Sequence, residues 1–357
     1  MTKRPTIKDV AKKAGVSIAT VSFVLNKHPN EVISEKVKKR VWAAARELDY
    51  HPSAAAAGLA RKRTRNVAIV FYLDEETVSN QFYSFVIKGA IEEAMRQDYH
   101  LLFSHVSAPY AGPADLPKVV QERNAEGVLF MRQIEPKMIR DLGERGLPVV
   151  AVDQYPAMRQ VNSLQIDNRS GGYLAAEHLV QLGHQRIGIL QAAADRPSIA
   201  ERVDGFRSAL RRNKVPFNAR ANVLACESLT YEGGYQRVQR ALKRGARLTA
   251  LFCVNDEMAA GAIRAAHEIG LSVPRDISVV GFDDITMSNY LDPPLTTVGV
   301  GKEQLGQRAM ARLIELVENG NGKIERELVP VELVVRNSTA APPPSAPRTR
   351  SKSRRRE

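Results

Sequence analysis

The chain has 357 residues, 44% of them apolar, which suffices to bury the cores of two or three domains. Residues 1–65 hold 15 Lys and Arg against 5 Asp and Glu, and residues 341–357 hold 6 against 1, so the net charge of +13 lies at the two ends. A basic head on a near-neutral body is typical of a nucleic-acid-binding protein with a second task. The charged first 20 residues and the lack of a long uncharged apolar run disfavour a secreted or membrane protein and predict a cytoplasmic one.

Residues 6–26 predict two short amphipathic helices joined by a tight turn at Gly15. Thr6 and Asp9 have the spacing of a capping box, and Ser17 offers a hydroxyl cap to the second helix. Apolar residues recur at helical spacing on both helices: Ile7, Val10, Ala11 and Ala14, then Val16, Val21 and Val24. This pattern predicts a helix-turn-helix, whose second helix can enter a DNA major groove, and an ordinary helical hairpin is the alternative.

A third helix is predicted from Ser34 to about Leu48, and it should close the core of the head with Val37, Val41, Trp42, Ala45 and Leu48. Residues 51–64, HPSAAAAGLARKRT, favour a helix too short to be stable alone in water, so it should form only when a partner orders it. The Pro-, Ser- and Arg-rich residues 339–357 predict a disordered basic tail.

From Asn66 onward, apolar strands alternate with helices in two cycles. The first cycle predicts strands at 67–73, 101–105, 127–131 and 148–153, with helices near 82–97, 115–124 and 136–145. The second predicts strands at 186–190, 222–226, 250–256 and 277–284, with helices over 200–213, 232–244 and up to about 270. Two such cycles predict two α/β lobes with parallel sheets covered on both faces.

A ligand site is expected in the cleft between the lobes, because ligands of open α/β sheets bind beyond the carboxyl ends of the strands. Asp153, Asn255 and Asp283 lie at or just past such ends, whereas Asp256 is expected to cap a helix.

Cys226 and Cys253 stand in apolar surroundings, which predicts buried, reduced thiols. The sequence shows no phosphate loop, metal-ligand cluster or nucleophile–base pair, so we predict neither an enzyme nor a cofactor.

The motifs occur in an order known from one family. They are TIKDVAKKAGVSIATVSFVLN in the head, HPSAAAAGLA in the hinge, and SLQIDNRSGGYLAAEHLVQLGHQRIGIL, ERVDGFRSAL, CVNDEMAAGAIRAAHEIGLSVPRDISVVGFDDI and PPLTTV in the body. Over about residues 5–338 the chain resembles the LacI family of bacterial transcriptional repressors. The resemblance implies a helix-turn-helix head over 1–50, a hinge helix over 51–65 and an effector domain resembling periplasmic binding proteins over 66–338.

The resemblance also implies a homodimer that binds a pseudo-palindromic, double-stranded DNA operator through its heads. The residues it places at the DNA are Thr6, Ser17, Ile18, Ala19, Thr20, Ser22, Phe23 and Asn26, with Ala56 and Leu59 at the minor groove. Ile18, Ala19 and Phe23 stand where relatives usually carry longer polar side chains, so specificity should depend on thymine methyl contacts and DNA shape. Tetrameric members add a leucine-heptad helix, and residues 339–357 contain no leucine, so a dimer is expected.

For the effector, the resemblance points to Asp153, Arg202, Asn255 and Asp283, with four further candidates: Phe82, Tyr83, Arg196 and Ser198. Carboxylates, a guanidinium and an amide suit a polyhydroxylated ligand. Leu229 stands where relatives often place a stacking aromatic, which favours a sugar or sugar derivative over a purine. A corepressor-type regulator of a nucleobase or another metabolite is the alternative. A sugar-binding transport protein is a further alternative, which the basic head disfavours.

Overall fold

A computed structural model describes residues 5–26, 33–51, 63–72, 80–106, 109–132, 134–153, 161–192, 196–320 and 322–344. The predicted hinge helix lies mostly outside these ranges, as do Ala56, Leu59 and residues 345–357 of the predicted tail. The described residues form a three-helix head and a body with two parallel-dominated sheets, which confirms the predicted fold class.

The head consists of α1 (Ile7–Ala14), α2 (Ile18–Leu25) and α3 (Glu35–Glu47). At the start of α1, the Thr6 amide donates a hydrogen bond to Asp9 Oδ2 at 2.8 Å. At the start of α2, the Thr20 amide donates to Ser17 Oγ at 3.0 Å. Gly15 makes the turn between them with a φ of +63°, a left-handed conformation that costs glycine least. These local contacts confirm the predicted helix-turn-helix.

The core of the head is aliphatic: Val10, Ala11, Ala14, Val21, Val24, Leu25, Val41, Ala44 and Ala45 are buried in it. The prediction that Trp42 belongs to this core is wrong, because its side chain is 40% exposed. Residues three and four positions apart lie on the same face of a helix, so Ala44 and Ala45 share the buried face of α3 with Val41. Trp42, one position after Val41, lies on another face. Val37 and Leu48 pack at the edge of the core.

The first lobe begins with alternating strands and helices: β1 (Asn66–Tyr72), α4 (Gln81–Arg96), β2 (His100–Val106), α5 (Lys118–Gln121), β3 (Val128–Met131), α6 (Pro136–Glu144), β4 (Val149–Val152) and β5 (Asn162–Ile166). The helix predicted near 115–124 is shorter than expected, since only a 3-10 turn at Pro113–Asp115 and the single turn of α5 form there. Strand β5 was not predicted from its apolar pattern.

The second lobe follows with α7 (Asn168–Gln181), β6 (Ile187–Ala192), α8 (Pro197–Arg212), α9 (Ala219–Asn222), β7 (Val223–Cys226), α10 (Tyr231–Lys243), β8 (Ala250–Cys253), α11 (Asp256–Glu268), β9 (Ser278–Asp283) and β10 (Thr296–Val300). The strands β6, β7, β8 and β9 lie where the apolar runs of the second predicted cycle placed them, whereas α7 and β10 were not predicted. Cys253 is buried as predicted, but Cys226 is only partly buried.

The chain then returns to both lobes with α12 (Lys302–Asn319), β11 (Arg326–Val329) and β12 (Val331–Val334). The first sheet has the order β11-β5-β4-β3-β1-β2, and the second has the order β12-β10-β9-β8-β6-β7. All ladders are parallel except the antiparallel pairing of β12 with β10. The lobes are therefore joined three times, at Asp167, Gly301 and Pro330, where one residue separates elements of different lobes.

The body continues past residue 338, so the predicted start of the tail at 339 is two residues early. The Ala340 amide donates to Ser278 Oγ at 3.0 Å, and the Ala340 carbonyl lies 2.9 Å from His184 Nε2. Thr339 Oγ1 lies 2.9 Å from His178 Nε2. These contacts bind the C-terminal segment to the second lobe because they satisfy polar groups that would otherwise be buried without partners.

Candidate functional site

One face of α2 is exposed and carries the residues predicted to contact DNA. Ser17, Ile18 and Ala19 are exposed at its start, and Ile18 is 45% exposed although its side chain is large and apolar. Four more of the predicted residues are partly buried along α2 and its end: Thr20, Ser22, Phe23 and Asn26. Thr6 is exposed at the start of α1, where it acts as a cap. The structure thus gathers these predicted residues on α2 and on the start of α1.

A pocket of about 710 Å³, including the part that opens to solvent, lies between the two lobes at the carboxyl ends of their strands. All eight residues predicted for the effector line it: Phe82, Tyr83, Asp153, Arg196, Ser198, Arg202, Asn255 and Asp283. Leu229 lines it too, and five residues were missed: Asn80, Arg132, Ile166, Pro197 and Ile199. Of these, Arg132 directly follows β3 and Ile166 ends β5. Their position at strand ends, the signal that led to Asp153, could have predicted them.

The first lobe contributes an acid, a phenol and an aromatic face. Tyr83 donates its hydroxyl hydrogen to Asp153 Oδ2 at 2.9 Å, and Phe82 meets Tyr83 edge to face with ring centroids 5.1 Å apart. The Phe82 amide donates to the Asn80 side chain at 2.8 Å, which starts α4 at the pocket. Burial raises the pKa of Asp153, although the Tyr83 hydrogen bond opposes this shift.

The second lobe holds Arg202 in a fixed position at the bottom of the pocket. Its Nε donates to Asn168 Oδ1 at 2.8 Å, and Nη2 donates to Asp283 Oδ1 at 3.1 Å. Nη1 donates to the Val254 carbonyl, and the guanidinium stacks 3.6 Å from the ring centroid of Phe282. Three of its five N–H groups are used in this way, so two can still bind a ligand. Burial raises the pKa of Asp283, while the charges of Arg202 and Lys302 lower it.

The prediction that Asp256 caps a helix is wrong, because Asn255, which also lines the pocket, is the residue that caps α11. Asn255 caps α11, since the Met258 amide donates to its Oδ1 at 2.8 Å, and its Nδ2 donates to the Leu229 carbonyl at 2.7 Å. Asp256 is buried instead of capping. It accepts hydrogen bonds from the Ile285 amide at 2.9 Å and from the Ser288 hydroxyl at 2.7 Å.

Thr297 also donates its hydroxyl hydrogen to the carboxyl of Asp256. Burial, followed by the charge of Asp283, raises the pKa of Asp256 to about 7. Asp256 therefore holds the loop that follows β9 through its hydrogen bonds to Ile285 and Ser288.

The backbone at Asp283 and Asp284 is held in an unusual conformation by two cations that the sequence did not reveal. The φ angles of Asp283 and Asp284 are +101° and +49°, which are rare for residues other than glycine. Lys302, at the start of α12, donates to the carbonyls of both residues, at 2.7 Å for Asp284. Arg336 donates to Asp284 Oδ1, also at 2.7 Å.

The described residues include no group of three His, Cys, Asp or Glu side chains placed to hold a metal ion. None of the helices in the described ranges combines the length and the apolar character that crossing a membrane requires. The donors and acceptors of the pocket suit an organic ligand with several hydroxyl, carbonyl or amine groups.

A helix-turn-helix head joined to a two-lobed body with a pocket between its lobes defines a class of ligand-responsive regulators. The profile described as "Bacterial regulatory proteins, lacI family" matches residues 6–53, and a "Periplasmic binding protein-like domain" profile matches residues 176–339. The transcriptional repressor PurR of Proteus mirabilis (strain HI4320) is 34% identical over 341 residues, 95% of this chain and 98% of that protein. The PurR repressor of Vibrio atlanticus (strain LGP32) is 33% identical over 322 residues, 88% of this chain and 92% of that protein.

Solved structures of transcriptional regulators are similar to this chain over most of its length. A Lac repressor dimer bound to operator and an anti-inducer has a TM-score of 0.82 and 30% identity, with 95% of this chain and 100% of that chain covered. The regulator CelR in complex with cellobiose has a TM-score of 0.68 and 27% identity, with 94% and 100% covered. The chain belongs to the lacI family of bacterial transcriptional regulators.

Proposed function

We propose that this protein is a cytoplasmic repressor that binds a pseudo-palindromic DNA operator as a homodimer and changes its affinity when a small molecule enters the pocket between the lobes. The observation that carries the proposal is the pocket itself, because all eight residues predicted for the effector line it. The same chain presents the exposed start of α2 on a basic head, so both halves of a ligand-controlled switch are present.

The head supplies the DNA-binding half of the proposal. Ser17, the cap of α2, and the first two residues of the helix, Ile18 and Ala19, are exposed. This is the end of a recognition helix that usually meets base edges in the major groove. The amino terminus of a helix also attracts phosphate, because unpaired backbone N–H groups point outward there. Among the basic residues around it, Lys12 and Lys13 are exposed in the last turn of α1.

The dimer is supported by two large apolar side chains that are exposed on the first lobe. Met95 in α4 is 72% exposed, and Phe103 in the edge strand β2 is 53% exposed. A second copy of the chain would cover them and pair the two heads. Analytical ultracentrifugation of the full chain tests this, because replacing Phe103 with Arg should increase the monomer fraction.

The effector is best explained as a sugar or sugar derivative. The carboxylates of Asp153 and Asp283 accept from hydroxyl groups, and Arg202 and Asn255 retain N–H groups that can donate. Phe82 offers one aromatic face, whereas Leu229 replaces a second one on the other lobe. A LacI-family regulator from Enterococcus faecium with bound ribose has a TM-score of 0.67 and 26% identity over 77% of this chain and 99% of that chain.

A nucleobase is the second candidate. The Phe82 ring lines the pocket and could meet a heterocycle there, and Asp283 and Arg202 supply an acceptor and donors. In this case the ligand would act as a corepressor that favours operator binding.

Thermal-shift measurements on the full chain with sugars, sugar phosphates and nucleobases test the ligand class, since a ligand that binds only the folded state raises Tm. Asp153→Asn in the pocket should abolish the shift, and Asp141→Asn, which removes an acid outside the pocket, should retain it. In parallel, operator selection from random duplex DNA tests DNA binding. No shift with any compound, together with no enriched palindrome, would overturn the proposal.

A further inference from the structure

The first two residues of α2, directly after the Ser17 cap, present apolar side chains to their surroundings. Ile18 is its first residue and is 45% exposed, and the neighbouring Ala19 is exposed as well. In the described part of the head, Ile18 and Trp42 are the large apolar side chains that are exposed, and only Ile18 lies on α2. Nearly half of the Ile18 surface is therefore left uncovered in the isolated chain.

The hydroxyl groups beside Ile18 already have partners within the head. Ser17 Oγ accepts from the Thr20 amide at 3.0 Å and lies 2.9 Å from Thr20 Oγ1. One turn further on, Asn26 Nδ2 donates to Ser22 Oγ at 3.2 Å. These bonds fix the helix and its ends, so the short polar side chains of α2 have less freedom to reach base edges.

We infer that this protein recognises thymine in each operator half-site through its C5-methyl group, and that Ile18 is the residue that determines this preference. The inference rests on the proposed function, because it assumes that α2 enters the major groove. In that groove the thymine methyl is the one apolar group that the four bases present, whereas the other distinguishing groups are hydrogen-bond donors and acceptors. Ile18 can bury a methyl group but can neither donate nor accept a hydrogen bond.

The test removes only the methyl group. An operator is first selected from random duplex DNA with the full-length protein, and each thymine is then replaced by deoxyuridine, which keeps its hydrogen-bonding groups. We expect one thymine position in each half-site to lose about fourfold in affinity on this replacement, as for a single buried methyl group. Replacement in both half-sites should lower affinity by about 16-fold, if the two half-sites contribute independently.

The Ile18→Ala variant tests whether Ile18 is the residue that contacts the thymine methyl group. Its affinity for the thymine operator should fall, and the same deoxyuridine replacement should then cause almost no further loss, because the partner of the methyl group is gone. Ile18→Val, which keeps a branched apolar side chain, should retain an intermediate penalty. Trp42→Phe is the matched control, since it changes an exposed apolar residue on α3. Its ratio of affinities for the thymine and deoxyuridine operators should equal that of the wild type.

Three outcomes contradict the inference in distinguishable ways. A selected operator that tolerates deoxyuridine at every thymine would overturn the methyl contact and leave the proposed function intact. An equal deoxyuridine penalty in the wild type and in Ile18→Ala would show that another residue reads the methyl group. No enriched operator at all would overturn both the inference and the proposed function. Because Ile18 is exposed, circular dichroism should show the same helix content and Tm for its variants.

Discussion

Lys302 donates a hydrogen bond to the backbone carbonyl of Asp284 at 2.7 Å, and this bond crosses the junction of the two lobes. Lys302 opens α12, which packs in the first lobe, whereas Asp284 follows β9 in the second. The same ammonium lies 5.6 Å from the ring centroid of Phe85 in α4. One buried cation therefore contacts both the loop that carries the pocket acid Asp283 and the helix that carries Tyr83.

Replacing Lys302 with Met should release the loop at Asp283 and Asp284. The two carbonyls would lose their donor, and their left-handed backbone would lose the contact that holds it. An unpaired buried polar group costs about 1–3 kcal/mol, so the free energy of local opening should fall by that order. Hydrogen exchange followed by mass spectrometry should show faster exchange in the peptide over residues 283–290.

Lys88→Met is the matched control for Lys302. Lys88 in α4 pairs with Glu303 at 2.8 Å, next to Lys302, but the Lys88 side chain is exposed to solvent and that of Glu303 is partly exposed. Exposed ion pairs contribute little to stability, so this variant should leave exchange over residues 283–290 unchanged. Equal exchange in the wild type and in Lys302→Met would show that the ammonium does not hold the loop.

Asp256 should make stability depend on pH. Its pKa is about 7 in the folded protein, whereas the usual value for this side chain is 3.8, so the folded state binds the proton more tightly. Its contribution is complete below about pH 4 and is lost as pH rises through about 7. Asp256→Asn resembles the protonated carboxyl and should be insensitive to this change.

Urea unfolding at pH 5 and pH 8 checks this sign. Relative to Asp256→Asn, the wild type should lose about 2–3 kcal/mol between the two pH values, because about two pKa units lie between pH 5 and the folded pKa of about 7. The comparison with the variant removes the shared contributions of His178 and His184, whose pKa values burial lowers. A wild type that gains stability over this range, relative to the variant, would contradict the assignment.

The sequence predicted the features that depend on neighbouring residues. The cap at Thr6 needs only Asp9 three positions away, and eight of the twelve strands in the described residues are short apolar runs that the sequence predicted, whereas β5, β10, β11 and β12 were not predicted. The pocket acids were found because strand ends are recognisable without knowing how the sheets pair. Strand β5 escaped detection because its residues, NSLQI, mix polar and apolar groups, yet it lies inside the first sheet.

The contacts between distant residues could not be predicted in this way. Arg202 and Asp283 are 81 positions apart, and only the folded second lobe brings them together. Asn255 and Asp256 are both good capping residues, so their spacing could not decide which one caps α11. The decision depends on Ser288 and Thr297, whose hydroxyl groups meet Asp256 only after β9 and β10 have paired.

Arg202→Ala should damage both effector binding and the second lobe. It removes the donor from the buried Asp283, and breaking a buried ion pair by removing one partner costs about 3–5 kcal/mol. Arg202→Lys keeps a charge near Asp283 but cannot also reach Asn168, so it should lose effector response with less loss of stability.

Thermal unfolding and ligand titration of both Arg202 variants separate these effects. The operator affinity of a folded Arg202→Lys protein should stay near that of the wild type. If that variant still responds fully to the effector found by thermal shift, the planar contacts of Arg202 are not needed for binding.

Gly172 shows how helix packing fixes the pocket. A Cβ atom at Gly172 in α7 would lie 1.9 Å from the Arg202 carbonyl oxygen in α8, so alanine would push the two helices apart. Gly172→Ala should lower the free energy of unfolding by about 1–3 kcal/mol and weaken effector binding through the displaced Arg202.

Gly143→Ala is the counterpart, because a Cβ atom there meets nothing within 4 Å and the residue lies in the last turn of α6. Alanine should raise the free energy of unfolding by about 0.5–1 kcal/mol, since it restricts the unfolded chain and favours the helix. Chemical denaturation of both variants measures the difference in sign. If Gly172→Ala is as stable as Gly143→Ala, the close approach of α7 and α8 does not constrain Arg202, and the effector affinities of the two variants should then be equal.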